Sequence, residues 1–279
     1  ELMGIYDTSA ERAAEIAEEF GVRTYDSLES LMQDCEALDV AVPTHRHYEI
    51  VEKLLQEGKH VLVEKPIASN VTEAEKLVNL AARQNVVFAV GHVERFNPVL
   101  DSIEQIPGEP CFVEAYRLAK YPPPRDGDVP RGTEVSVVHD LMIHDVDIVL
   151  TLVNQAVSRI EAVGVPILSD TVDIANVRMT FEGGCVATLT ASRVSSEALR
   201  KIRVFKNNAY LSLDYGAQQG EMATVQNRQV VRDSVPVDPR NALQEELEDF
   251  CNCILKRKAG HGSVQPRGSG EAGVQALRL

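Results

Sequence analysis

The sequence predicts an α/β domain on a parallel, doubly wound sheet, followed by an α+β domain with a mixed, mostly antiparallel sheet. Three observations predict it. Up to about residue 90, short runs that are apolar throughout alternate with amphipathic helical stretches, the pattern of a parallel sheet covered on both faces. Beyond Pro98 several of the strands alternate apolar and polar residues, and two Gly- or Asn-rich turn signals suggest hairpins. A single apolar helical stretch, about 137–153, interrupts those strands. The domain boundary is placed near residue 97, giving domains 1–97 and 98–279.

Leu2 to Tyr6 is a short apolar run ending at Asp7. Thr8 and Glu11 read as a capping box, and Ala10, Ala13, Ala14, Ile16, Ala17 and Phe20 as one helical face before Gly21 stops it. An acidic helix around 27–35 leads to the strand Asp39–Val42, ended by Pro43. A helix from about 46 carries Ile50, Val51, Leu54 and Leu55 and stops at Gly58. The strand His60–Glu64 is broken by Pro66. Thr72 and Glu75 read as the cap of a helix running to about 84, and Val86–Val90 as a strand reaching Gly91. In the second domain, strands are expected at about 111–118, 158–166, 172–182, 185–193, 200–206 and 209–214. The clearest puts Ala175, Val177, Met179 and Phe181 on one face and Asn176, Arg178 and Thr180 on the other. Glu182-Gly183-Gly184 and Lys206-Asn207-Asn208 signal hairpin turns.

The chain has 279 residues, enough for two domains, with 44% apolar and 25% charged residues. A formal net charge of −14 argues against nucleic acid as a partner, because a polyanion is repelled over most of such a surface. No apolar run long enough to span a membrane occurs, and the first residues resemble neither a signal peptide nor an Arg-rich presequence. Five scattered cysteines without metal-ligand spacing read as reduced thiols of a cytoplasmic protein.

Asp7 ends a strand of a βαβ unit, where an acid can hold both ribose hydroxyls of an adenosine and repel a 2′-phosphate; a plain helix-capping carboxylate explains it equally well. In a dinucleotide fold that acid lies about 20 residues after a glycine-rich turn. Here six residues precede it and no suitable GxGxxG occurs. Either the fold is not dinucleotide-binding or the chain begins after that turn. Residues 273–279 stop in what reads as mid-helix, so both ends are expected to be trimmed, and the chain as given to bind cofactor poorly. Glu64-Lys65-Pro66 delivers a carboxylate and an ammonium to the C-terminal sheet edge; the plainer alternative is a surface ion pair beside a turn. Asp140 and His144 stand four apart on one helical face, and Asp147 continues the stripe. A carboxylate-oriented His suits a general base, against a structural Asp–His pair or a two-residue metal site lacking a third ligand. Arg117, Arg125, Arg131 and Arg193 are unranked candidates for an anionic substrate.

Together these motifs resemble the Gfo/Idh/MocA oxidoreductases over essentially the whole chain. The resemblance rests on the strand ending in Asp7, Pro43-Thr44-x-x-His47, Gly58-Lys59-His60-Val61-Leu62-Val63-Glu64-Lys65-Pro66, Gly91-x-x-x-Arg95-Phe96-Asn97-Pro98 and Asp140-x-x-x-His144-x-x-Asp147. It implies a Rossmann domain, here without its first strand and glycine loop, and a sheet domain whose open face makes a homo-oligomer. It also implies a catalytic set of Lys65, Asp140 and His144, with Asp7, Thr44, His47, Glu64, Lys65 and Arg95 lining the cofactor. NAD is expected, NADP less so because of Asp7. A narrower likeness, in Gly91–Pro98, Asp140–Asp147 and Ala191-Ser192-Arg193-Val194-Ser195, is to the branch acting on UDP-N-acetylglucosamine at C3. The expected reaction is oxidation of a secondary hydroxyl of a sugar or nucleotide sugar. The alternatives are a non-catalytic nucleotide- or sugar-binding sensor, marked by loss of Lys65 or His144, and an NAD-recycling lyase or glycosidase-like enzyme.

Overall fold

The computed structural model describes residues 1–123, 130, 132–226 and 229–279. The chain forms two compact units, each built from two stretches of sequence: residues 1–90 with 250–270, and residues 91–249 with 271–279. A single cut near residue 97 does not describe that arrangement, since a late segment returns to the first unit.

In the first unit the strands are β1 (Gly4–Ile5), β2 (Arg23–Thr24), β3 (Ala37–Val40), β4 (His60–Val63) and β5 (Phe88–Val90). The helices are α1 (Ala10–Phe20), α2 (Leu28–Asp34), α3 (Thr44–Gln56) and α4 (Val71–Gln84). The strands pair in parallel, β1 with β2 and β3-β4-β5 in order, and an isolated antiparallel bridge joins Ala89 to Ser269. Val61 and Val63 of β4 and Val51, Leu54 and Leu55 of α3 are fully buried. Two caps differ from expectation, because the residue with extended backbone just before each helix takes the job. Ser9, not Thr8, accepts the Arg12 N–H, and Asn70, not Thr72, accepts the Glu73 N–H. The apolar face of α1 is also narrower than its sequence suggests. Ala13 and Ala17 are buried, whereas Ala10 and Ala14 are exposed and Phe20 stands 60% exposed. Phe250, Cys253 and Ile254 pack on Leu62, Val87 and Ala89, and the Val90 N–H donates to the Gly268 carbonyl at 2.7 Å.

The second unit carries an eight-stranded sheet. Its strands are β6 (Pro110–Leu118), β7 (Val157–Val165), β8 (Ile174–Phe181), β9 (Val186–Ser192), β10 (Leu199–Lys206), β11 (Ala209–Asp214), β12 (Gln219–Gln226) and β13 (Gln229–Val235). The order is β13-β12-β11-β10-β6-β9-β8-β7, antiparallel except where β6 and β9 pair in parallel. The two turn signals do join hairpins, β8–β9 and β10–β11. α5 (Pro98–Glu104) and the last two strands lie where the sequence suggests no element, while the parallel β6–β9 pair gives the sheet its expected mixed character. The expected helix at 137–153 is a π-helical turn, Val138–Met142, running into α6 (Ile143–Val153). Its buried side, with Met142, Ile148 and Val149, shares one core with Val113, Leu189 and Ile202 of the sheet. α7 (Ala242–Lys258) begins in the second unit and ends in the first, and α8 (Gly270–Arg278) closes the chain. Among the described residues no helix is long and apolar enough to cross a membrane.

Candidate active site

In the first unit the residues of interest stand at the C-terminal ends of parallel strands. Ligands bind at that edge in open α/β folds, because the strand ends and helix starts leave a crevice there. Asp7 follows β1 and is exposed; its Oδ1 accepts the Ser9 N–H at 2.8 Å, which fixes the turn and leaves the carboxylate at the surface. Thr44 opens α3, whose first turn has no side-chain cap, so its N–H groups and dipole face the same edge. Glu64 and Lys65, both half-buried, follow β4; Glu64 Oε2 accepts the Lys65 N–H at 3.2 Å, and the Lys65–Pro66 bond is cis. Asp7, the start of α3 and Lys65 thus follow the C-terminal ends of β1, β3 and β4 respectively.

His47, expected to line the cofactor, lies in the first turn of α3. Its ring is buried, with Nδ1 2.8 Å from the Pro66 carbonyl oxygen and Nε2 2.8 Å from that of Val42. Burial pushes its pKa down. A neutral imidazole has one N–H, so the ring donates to one of these two carbonyls at a time, and His47 sits between the turn carrying Lys65 and the loop before α3.

In the second unit Asp140 lies in the π turn and His144 in the first turn of α6, both half-buried. A π turn holds one extra residue, which rotates what precedes it by about 100° relative to a continuous α-helix. The i,i+4 face read for Asp140 and His144 presumes a continuous α-helix, and the irregular turn that interrupts it is not visible in sequence spacing. Asp147 lies deeper: Arg95 Nε and Nη2 donate to its two oxygens, each at 2.7 Å. Arg95, assigned from sequence to the cofactor, thus ties residues 93–96 to α6 through its guanidinium.

The neighbouring acid, Asp145, is gripped by Arg117 Nε (2.9 Å) and Nη2 (3.1 Å), while Arg117 Nη1 donates to Glu94 at 2.9 Å. Burial pushes the Asp145 carboxyl up against the pull of that guanidinium. Arg193 is buried too, donating to Asp173, Thr171 and the carbonyls of Gly132, Val135 and Val172. Arg117 and Arg193 are thus internal struts and not substrate anchors. Both satisfy buried carboxylates that would otherwise be costly. Arg125 and Arg131 fall outside the described residues.

A parallel α/β unit followed by a unit built on a mixed, mostly antiparallel sheet is the architecture of a two-domain, NAD-binding oxidoreductase. Residues 1–92 match the oxidoreductase family with an NAD-binding Rossmann fold, and residues 105–212 match the GFO/IDH/MocA C-terminal domain. The chain belongs to the Gfo/Idh/MocA oxidoreductase family. It is 36% identical to UDP-N-acetylglucosamine 3-dehydrogenase of Acidithiobacillus ferrooxidans over 92% of this chain and 82% of that protein. A solved structure of that enzyme superposes with a TM-score of 0.89 at 36% identity, covering 99% of this chain and 86% of its own. The 1,5-anhydro-D-fructose reductase of Ensifer adhaerens is 29% identical, over 99% of this chain and 86% of that protein. Levoglucosan dehydrogenase, solved with NADH and levoglucosan, shares the fold at 20% identity, with a TM-score of 0.86 and coverage of 99% and 85%.

Proposed function

We propose that this oxidoreductase oxidises a secondary hydroxyl of a nucleotide sugar, C3 of UDP-N-acetylglucosamine being the best-supported choice. The observation that carries the substrate class is the 36% identity, along 92% of the chain, to an enzyme named for that reaction. Lys65, Asp140 and His144 form the catalytic set. Asp7, Thr44 and Glu64 serve the cofactor, with Lys65 shared between the two. When bound, NAD supplies the hydride acceptor. The Lys65 ammonium donates to the substrate hydroxyl oxygen and stabilises the negative charge that develops there. His144 takes the proton from that oxygen, and Asp140 holds the imidazole in the orientation that accepts it.

Incubating the holoenzyme with UDP-N-acetylglucosamine and NAD is expected to give reduced cofactor and a 3-keto product in equal amounts. Bond cleavage without net NADH would replace this reading by the NAD-recycling one. Run with both cofactors, the assay should show a higher kcat/KM for NAD than for NADP, since Asp7 repels a 2′-phosphate. Equal values would remove Asp7 from the ribose site.

The sheet of the second unit joins copies of the chain. Edge strand β7 leaves Ile160 (40%), Val163 (61%) and Val165 (45%) exposed, and an apolar edge of that length invites pairing. Light scattering is expected to give a dimeric or tetrameric mass. A monomer at micromolar concentration would rule that face out as the interface.

A further inference from the structure

Gly132 has φ +85°, and a Cβ built there would lie 2.7 Å from Asp140 Oδ2 and 3.2 Å from its Cγ. The bare Cα of Gly132 is therefore packed against the carboxylate of Asp140. What holds Gly132 in place is buried machinery. Arg193 Nη1 donates to the Gly132 carbonyl and, at 3.0 Å, to that of Val135. Its Nη2 donates to Thr171 Oγ1 (2.6 Å) and the Val172 carbonyl (3.0 Å), and its Nε to Asp173 (2.8 Å). Thr171 Oγ1 lies 3.1 Å from the carbonyls of Thr133 and Val135, and the Val137 N–H donates to Val172 at 2.8 Å. The segment entering the π turn is thus stitched on one side to 171–173 and on the other to Arg193.

We propose that Arg193 is a positioning residue: by gripping the Gly132 and Val135 carbonyls it sets Gly132 against Asp140, and so fixes the carboxylate that orients His144. The proposal rests on the catalytic assignment of Asp140 and His144. It accounts for a guanidinium donating to three backbone carbonyls, two of them in the segment beside the acid. Arg193 needs no contact with substrate to act this way.

The test is a double-mutant cycle in the holoenzyme. Gly132→Ala pushes a methyl into the Asp140 carboxylate and is expected to lower kcat by about 10²-fold, the scale of a misplaced catalytic group, with KM little changed. In an Asp140→Ala background the same methyl meets no carboxylate, and the further loss should stay within about twofold. Backbone strain at Gly132 is common to both backgrounds and cancels. Full kcat in Gly132→Ala, or an equal loss in both backgrounds, overturns the proposal. A second readout needs no turnover: the side-chain nitrogen resonances of His144 in 15N-labelled protein. They should move on Gly132→Ala, and should stay put when Gly132→Ala is added to Asp140→Ala. If Asp140→Ala leaves kcat intact, the catalytic assignment fails, yet these resonances still report whether Gly132 reaches the ring through Asp140. Arg193→Lys, with one ammonium in place of a fork, should shift the same resonances as Gly132→Ala; unchanged resonances in a folded Arg193→Lys protein count against the proposal.

Discussion

Replacing Lys65 with Met is expected to lower kcat by about 10²- to 10³-fold while the cofactor dissociation constant changes by less than about tenfold. The first figure is the usual cost of deleting one donor aimed at a developing oxyanion, roughly 3–4 kcal/mol of transition-state stabilisation. The charge on the substrate oxygen grows as its proton and the hydride leave, so the ammonium interacts more strongly with the transition state than with the bound sugar. Its loss should therefore appear in kcat more than in KM. Met keeps the length and packing of the half-buried stem, separating charge from shape. Calorimetric titration with cofactor alone, beside steady-state kinetics, makes the comparison. A variant with full turnover and parent-like cofactor binding would end the catalytic assignment of Lys65.

Replacing Asp173 with Asn is expected to destabilise the second unit by about 3–5 kcal/mol at neutral pH, the cost of leaving a buried partner charge unpaired. Asp173 has no exposed surface. Its carboxylate accepts the N–H groups of Ile167 (2.7 Å), Leu168 (2.6 Å) and Ser169 (2.9 Å), the Ser169 hydroxyl (2.7 Å) and Arg193 Nε (2.8 Å). Burial by itself would raise its pKa, but the Ser169 hydroxyl, the Ile167 N–H and Arg193 reverse that and hold the carboxyl well below the usual carboxylate range. Below the unfolded value of about 3.9, the unfolded chain takes up a proton that the folded one refuses. The stabilisation is complete above that value and is lost as pH falls toward the folded pKa. Melting curves of parent and variant should therefore be separated by about 10 °C near neutrality and converge below about pH 4. A separation that is absent, or that does not change with pH, would show that the carboxylate is not the stabilising element.

Legibility in the sequence followed the range of the interaction. Strand ends carrying Asp7, Thr44 and Lys65 were readable because a strand and the turn after it are local. So was β8, whose buried Ala175, Met179 and Phe181 alternate with Asn176, Arg178 and Thr180. The strands β12 and β13 were not, because at the sheet margin little of their length is buried and no alternation is imposed. The parallel β6–β9 pairing and the return of residues 250–270 to the first unit depend on contacts no window contains. The basic residues were the hardest. Arg95, Arg117 and Arg193 read as ligand anchors, yet their acids lie 52, 28 and 20 residues away in sequence. The carbonyl neighbours of His47 likewise leave no mark in the side-chain pattern.

The parallel pairing of β6 with β9 has a consequence for how the molecule is made. A parallel neighbour cannot be reached through a hairpin. The chain leaves the sheet at Leu118, lays down the helix bearing His144, re-enters at the far margin as β7, and works inward through β8 before β9 meets β6. The pairing of these two central strands closes that whole excursion, and pairings of such high contact order form slowly. The proposed roles of Asp140 and His144 then fall in the stretch of chain that this pairing encloses. Mutations along it should be read in vivo first through yield and chaperone dependence, before any turnover is measured.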